Sequence, residues 1–249
     1  MSIKIFCVPH AGGSASAFNR WKGLFNDTIE LVPLELAGRG GRYGETLSDS
    51  IHGIASDLFD RIRIDLNQEP YAFWGHSFGT VIIYELMRMI KDNKLNMPVH
   101  IFMTGRFPPH RKEQNEIRHL PEDDFIKEII SLGGVESQIA ENKEILKFYY
   151  PILKADYSAI ETYMFTAAEA WSCNLTIMSG DDDKEVEEAS LIEWQRYTNN
   201  QCDIKIFAGG HFFIYDYVDE ITQIINGKLL SEVSKYIIEE KRWKRGFGL

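Results

Sequence analysis

The segment Gly-His-Ser-Phe-Gly at residues 75–79 constrains the fold of this chain more than any other. It joins a short apolar run, residues 71–74, to a long apolar stretch at residues 80–91 that has the pattern of a buried helix. A serine between two glycines also occurs by chance in loops, but here both flanks favour a sharp strand–turn–helix bend. The pattern therefore predicts that Ser77 has a strained backbone and a hydroxyl exposed above the end of a strand.

Composition narrows the class of protein without identifying its partners. With 249 residues, of which 44% are hydrophobic, the chain fits one large α/β domain or two small ones. The net charge of -10, from 37 acidic and 27 basic residues, argues against nucleic-acid binding. The three cysteines show neither a disulfide framework nor a metal-binding spacing, and no apolar stretch approaches the roughly 18 residues of a membrane span. We therefore expect a cytoplasmic protein with no metal centre and no membrane contact.

Strand and helix patterns alternate along most of the sequence, which predicts a mostly parallel central sheet with helices on both faces. We expect a single domain over residues 1–249. The strand patterns lie at residues 3–8, 29–34, 71–74, 99–104, 175–178 and 204–207, and the helix patterns between them at residues 15–25, 50–66, 80–91 and 191–197.

The alternation stops between residues 106 and 170, where two helical patterns replace it. The pair Gly133-Gly134 separates them, and Pro151 predicts a kink or break in the second. A helical insertion after a strand is typical of a lid that packs on the core and in part lines a pocket, with Phe125 as a candidate pocket residue. After residue 227 the sequence is less typical of the fold, and it predicts one more helix at residues 229–245 or a frayed tail.

Three reactive positions directly follow predicted strands: Ser77, the acidic run Asp181-Asp182-Asp183, and His211. Because the carboxyl ends of parallel strands meet at one edge of a sheet, we expect these side chains to converge. Their order along the chain is that of an α/β-hydrolase triad. A neutral serine needs an imidazole to accept its proton and a carboxylate to orient that imidazole. We assign these roles to His211 and to Asp183, which the spacing Gly-x-x-Asp selects, with Asp182 as the alternative.

The sequence Pro-His-Ala-Gly-Gly-Ser at residues 9–14 follows the first predicted strand. It lacks the Gly-x-Gly-x-x-Gly spacing of a dinucleotide-binding loop. Small residues at this place let a backbone N–H approach a substrate carbonyl, so Ala11 is the predicted oxyanion donor, together with the N–H of Phe78. We expect His10 to border the pocket and His76 to point away from the serine.

Seven short segments together carry a more specific signal than the serine bend alone. They are Pro-His-Ala-Gly-Gly-Ser-Ala at residues 9–15, Leu-Ala-Gly-Arg-Gly at 36–40, Gly-His-Ser-Phe-Gly at 75–79, Leu-Gly-Gly at 132–134, Lys-Ala-Asp-Tyr at 154–157, Gly-Asp-Asp-Asp at 180–183 and Gly-Gly-His-Phe-Phe at 209–213. In these segments the chain resembles the type II thioesterases, the stand-alone editing enzymes of nonribosomal peptide and polyketide synthesis. The resemblance covers roughly residues 3–226 and departs from the family's pattern at His10, Ala37 and Gly41, which leaves the substrate preference open.

This resemblance implies an α/β-hydrolase fold and hydrolysis of acyl groups from the phosphopantetheine arm of carrier domains, with no cofactor bound by the enzyme itself. It also implies an acyl-enzyme on Ser77. Carrier domains are usually acidic, so docking on this acidic chain needs a local basic patch. The candidates for that patch are Arg106, His110, Arg111 and Lys112. We expect the enzyme to act as a monomer.

Several alternatives stay open at this point. The same residues suit a small-ester or acyl-CoA hydrolase, an acyltransferase that uses an alcohol or amine in place of water, or a non-catalytic binding module of the same fold. Arg39 and Arg42, in the loop after the second predicted strand, either contact an anionic group of the substrate or are solvated at the surface.

Overall fold

The computed structural model describes residues 2–113, 116–133 and 142–246. Its centre is a six-stranded sheet in which every paired strand runs parallel to its neighbour. The spatial order is β2-β1-β3-β4-β5-β6. The strands are β1 (Ile3–Val8), β2 (Ile29–Pro33), β3 (Tyr71–His76), β4 (His100–Thr104), β5 (Asn174–Gly180) and β6 (Cys202–Phe207).

Helices cover both faces of this sheet, as predicted. Helices α1 (Ile51–Ile62) and α2 (Phe78–Asp92) belong to the core on one face. A 3-10 helix (Ala15–Trp21) and the C-terminal helix α5 (Val218–Gly246) belong to the core on the other face. Strand β1 contributes alternate side chains to the two cores, because successive residues of a strand point to opposite faces. The α/β fold predicted from the alternating pattern is therefore confirmed.

The segment between β4 and β5 contains the predicted helical insertion. Its helices are α3 (Glu122–Leu132) and α4 (Lys143–Glu161). They pack on each other through a small apolar core of their own that includes Phe125 and Leu153. Pro151 lies inside α4, which continues on both sides of it, so of the predicted kink or break the break is excluded. Gly134 and its neighbours up to residue 141 lie outside the described residues.

The C-terminal helix differs from the sequence prediction. Helix α5 passes through Gly227 without interruption, so there is no separate helix at residues 229–245. Leu229 is fully buried in the same core as Ile221 and Ile225, because all three lie on one face of the helix at spacings of four. In the described part of the chain, no helix is long and apolar enough to cross a membrane.

Candidate active site

Ser77 occupies a sharp bend between β3 and α2. Its φ of 51° and ψ of -114° are strained for a residue with a side chain. Hydrogen bonds hold the bend from both sides: the Ser77 N–H donates to the Thr104 carbonyl oxygen at 2.8 Å, and the Thr80 hydroxyl donates to the Ser77 carbonyl oxygen at 2.7 Å. A side chain on Gly79 would collide with the backbone oxygen of Val8, so the glycine is needed there. The structure therefore contains the bend that the sequence predicts.

His211 and Asp183 meet at the same edge of the sheet, in the loops after β6 and β5. The Nδ1–H of His211 donates to Oδ2 of Asp183 at 2.8 Å, and both residues are buried. The other oxygen of Asp183 accepts the N–H of Glu185 at 3.0 Å. Asp182 is exposed, and Asp181 accepts the N–H of Gly209 at 2.8 Å. Of the three adjacent carboxylates, the structure thus brings Asp183 to the histidine.

Glu185 acts electrostatically on His211, an interaction that no local sequence pattern predicts. Its Oε1 atom is buried and makes no hydrogen bond to any described residue. Burial by itself lowers the pKa of His211, but the negative charges of Glu185 and Asp183 raise that pKa by more, to about 9. The resting imidazole therefore favours its protonated form at neutral pH.

Two further histidines lie near His211. His76, the last residue of β3, is fully buried, and its Nδ1 lies 3.0 Å from the hydroxyl oxygen of Thr104. Its ring centroid is 5.2 Å from that of His211, and burial lowers the pKa of His76 well below its usual range. The ring of His10 packs on Phe212 at 4.9 Å instead of lining the cavity beside the serine. The expectation that His10 borders the pocket is therefore not met.

A cavity of about 360 Å³ opens beside Ser77, between the sheet edge and the helical insertion. Ala11 and Phe78, the two predicted oxyanion donors, both line it. The apolar wall on the side of the insertion is formed by Ile117, Leu132, Tyr157 and Ile160. The cavity has the size of a small-molecule site, and charged residues such as Arg106, Glu113 and Glu185 line it beside this apolar wall.

Phe125 does not line this cavity. It is fully buried between α3 and α4, where its ring lies 5.6 Å from the rings of both Tyr150 and Tyr157. The sequence pattern placed Phe125 correctly on the apolar face of a helix. It did not reveal whether that face meets the other helix or the pocket, because both environments are apolar.

The predicted basic patch is largely neutralised by carboxylates. Arg106 is 6% exposed, lines the cavity beside Ser77 and forms an ion pair with Glu113. His110 and Arg111 both contact Glu193, at 2.7 and 2.8 Å. Arg106 is therefore a cavity residue rather than a surface cation, and His110 and Arg111 share an acidic partner that sequence inspection does not show.

Neither interpretation of the arginines in the loop after β2 is correct. Arg39 is 3% exposed and forms a two-bond ion pair with Asp156 of α4, at 2.6 and 2.7 Å. Arg42 pairs with Glu45 and Asp57. Their carboxylate partners lie in this chain, and for Arg39 the partner is 117 positions away in the sequence.

Among the residues that the structure describes, no group of three or more His, Cys, Asp or Glu side chains could hold a metal ion.

Comparison with known proteins agrees with the geometry. The thioesterase domain family matches residues 3–229. The gramicidin S biosynthesis protein GrsT of Aneurinibacillus migulanus is 34% identical over 215 residues, which cover 86% of this chain and 84% of that protein. The linear gramicidin dehydrogenase LgrE of Brevibacillus parabrevis is 30% identical over 238 residues, covering 94% of this chain and 90% of that protein. The crystal structure of ClbQ from the colibactin nonribosomal peptide/polyketide pathway superposes with a TM-score of 0.89 at 32% identity, covering 93% of this chain and 98% of that structure. The chain therefore belongs to the thioesterase family.

Proposed function

We propose that this chain is a type II thioesterase that removes acyl groups from the phosphopantetheine arm of carrier domains in a nonribosomal peptide or polyketide assembly line. One observation carries the chemistry: the serine of a strained bend lines a cavity with an apolar wall, at the same sheet edge where His211 donates to Asp183. The names of the relatives GrsT and ClbQ support the biosynthetic setting.

The reaction follows from the positions of these groups. The Ser77 oxygen attacks the thioester carbonyl carbon while Nε2 of His211 accepts the hydroxyl proton. Asp183 stabilises the resulting imidazolium, and the N–H groups of Ala11 and Phe78 stabilise the negative oxygen. The carbon–sulfur bond then breaks, and the thiolate takes the proton from His211. Water, deprotonated by His211, attacks the acyl-enzyme, and its proton returns to Ser77 as the free acid leaves.

A dehydrogenase function, which the name of the Brevibacillus relative suggests, has no support in this chain. The loop after β1 lacks the Gly-x-Gly-x-x-Gly spacing that lets a dinucleotide pyrophosphate approach the backbone. A small-ester or acyl-CoA hydrolase is the alternative that uses the same residues, because the triad does not distinguish thioesters from oxygen esters.

The decisive experiment compares three substrates over a series of acyl lengths: an acyl carrier protein, the matching acyl-CoA and the matching simple ester. We expect the highest kcat/KM on the acyl carrier protein. A serine-reactive phosphonate should label the wild type, whereas Ser77→Ala should neither be labelled nor turn over any of the three substrates. Full activity of Ser77→Ala would overturn the mechanism, and a higher kcat/KM on the simple ester would overturn the carrier-domain assignment.

Carrier docking is proposed to use the exposed part of the basic patch, chiefly Lys112. We expect Lys112→Glu to lower kcat/KM for the acyl carrier protein severalfold at low salt and to spare the acyl-CoA, because an acidic carrier surface would then meet a carboxylate. Lys22→Glu, an exposed lysine before the second strand, is the matched control. Equal effects of Lys112→Glu on both substrates would refute docking at this patch.

The enzyme is proposed to act as a monomer in the cytoplasm, and its three free cysteines suit a reducing setting.

A further inference from the structure

A buried ion pair connects the helical insertion to the loop that follows β2. The two ends are Asp156 of α4, which is fully buried, and Arg39 of the loop after β2, which is 3% exposed. Nη1 of Arg39 donates to Oδ2 of Asp156 at 2.6 Å, and Nη2 donates to Oδ1 at 2.7 Å. This parallel two-bond arrangement is the strongest and most directional pairing available to the two groups.

Both partners also hold the backbone of residues 9–14, which we name the β1 loop. Oδ2 of Asp156 accepts the N–H of Gly12 at 2.7 Å, and Nη1 of Arg39 donates to the carbonyl oxygen of Gly13 at 3.3 Å. Gly12 has a φ of +75°, and a Cβ added to it would lie 2.6 Å from Leu153 of α4. The β1 loop is thus held by one hydrogen bond to Asp156, one hydrogen bond to Arg39 and the close approach of Leu153 of α4 to Gly12.

Stability alone does not explain this arrangement. Removing two charges from water destabilises the folded state, and apolar residues of similar volume often serve the fold equally well. A buried pair does, however, fix the relative position of the groups that it touches. Here those groups are the N–H of Gly12 and the carbonyl of Gly13. These are the two residues directly after Ala11, whose own N–H is the proposed oxyanion donor.

We propose that Asp156 and Arg39 are positioning residues that hold the β1 loop so that the Ala11 N–H meets the negative oxygen of the transition state. This inference rests on the proposed thioesterase function. Because Asp156 belongs to α4, the oxyanion hole is complete only while the helical insertion is docked on the core. The insertion therefore contributes to the chemical step as well as to the shape of the acyl pocket.

The test uses a double variant, Arg39→Met with Asp156→Leu. It removes both charges and replaces the two side chains with apolar ones of similar volume. The substrate is an octanoyl pantetheine thioester. Two inhibitors separate the possible roles: the octanoyl trifluoromethyl ketone, which forms an oxyanion on Ser77, and the matching thioether, which has no carbonyl group. Glu85→Gln is the matched control, because Glu85 is 2% exposed and accepts the Tyr163 hydroxyl at 2.6 Å but does not contact the β1 loop.

We expect the double variant to remain folded and to lose roughly 10- to 100-fold in kcat, with KM changed less than about threefold. Inhibition of the double variant by the ketone should weaken by the same factor as kcat, whereas its inhibition by the thioether should stay near that of the wild type. Glu85→Gln should keep the kcat, the KM and the inhibition by both compounds near the wild-type values. Unchanged kcat and ketone binding in the folded double variant would overturn the proposal. Equal weakening of both inhibitors would also overturn it, because it would indicate a collapsed pocket.

Asp156→Asn tests the same inference if the double variant does not fold. The amide has nearly the same shape, but its NH₂ group cannot accept from Arg39 while its oxygen accepts from Gly12. We expect at least a tenfold loss of kcat with parallel weakening of the ketone, and wild-type values of both would overturn the inference. Ser77→Ala, measured alongside, tests the proposed function separately, since its outcome does not depend on Asp156.

Discussion

The imidazole ring of His76 lies against that of His211, with 5.2 Å between the ring centroids. His76 is the last residue of β3, and Ser77 follows it directly. The end of one strand therefore positions both the serine and the ring that packs on His211, the proposed base. Gly105, directly after β4, makes this contact possible. It has a φ of +64°, and a Cβ added there would lie 2.6 Å from Cε1 of His76 and 3.6 Å from Cε1 of His211.

Gly105→Ala should therefore lower both stability and activity. We expect a loss of ~1–3 kcal/mol in the free energy of unfolding and at least a tenfold loss of kcat/KM, because the new methyl group displaces His76 and through it His211. Gly23→Ala is the matched control: its φ is +80°, but nothing lies within 4 Å of an added Cβ. It should cost about 1 kcal/mol and leave kcat/KM unchanged. Denaturant unfolding and steady-state kinetics measure the two effects.

Asp183→Asn should be far more harmful than Asp182→Asn. Only Asp183 accepts the Nδ1–H of His211, and an amide in its place favours the wrong imidazole tautomer. We expect kcat/KM to fall roughly 10³- to 10⁴-fold for Asp183→Asn and to change less than about twofold for Asp182→Asn, whose side chain is exposed. Thioester kinetics on variants with matched thermal stability would decide between them, and a large loss in Asp182→Asn would contradict the assignment.

The pH dependence of the reaction follows from the pKa of His211. Burial lowers this pKa, the carboxylates of Glu185 and Asp183 raise it, Arg106 lowers it slightly, and the result is about 9. Protonated His211 cannot accept the proton of Ser77, so kcat/KM should rise with pH, with the midpoint of the rise near pH 9 and a plateau above it.

Glu185→Gln removes one of the negative charges, so the midpoint of this rise should move to lower pH. Glu187→Gln, on the same cavity wall but paired with Arg111, is the control that should keep the midpoint of the wild type. A pH–rate profile of each variant provides the measurement. An unchanged midpoint in Glu185→Gln would show that its charge does not act on His211.

Ile160→Ala should change which acyl chains are preferred. Ile160 lines the cavity beside Ser77, and shortening it by about three carbons makes room for a longer or branched acyl group. At ~0.8 kcal/mol per buried methylene, we expect the ratio of kcat/KM between acyl chains two to three carbons apart to shift roughly 15- to 60-fold toward the longer one. Ile130→Ala, on the exposed side of α3, should leave the ratio unchanged.

Leu229→Ala tests whether the chain beyond Gly227 belongs to the folded core. Leu229 is fully buried, so its truncation should lower the free energy of unfolding by ~2–4 kcal/mol. Ser231→Ala, at an exposed position two residues later, should change it by less than about 0.5 kcal/mol. Urea denaturation measures both, and equal values would show that this part of α5 contributes little to the core.

The sequence by itself determined the fold and the elements that carry the proposed chemistry. Alternating strand and helix patterns predict a parallel sheet, and a parallel sheet brings the ends of its strands to one edge. For this reason the sequence predicts Ser77, His211 and the acidic run at residues 181–183 as site residues, whereas the structure selects Asp183 over Asp182. Local patterns suffice here because each residue is placed by the strand directly before it.

Only the tertiary structure decided which side chains became partners across long separations in the sequence. It paired Arg39 with Asp156, placed Phe125 between two helices instead of in the pocket, and brought Glu185 close to His211. A carboxylate or an aromatic ring has the same local pattern whether it faces solvent, a neighbouring helix or a cavity. The choice among these environments depends on packing between elements, which no local pattern contains.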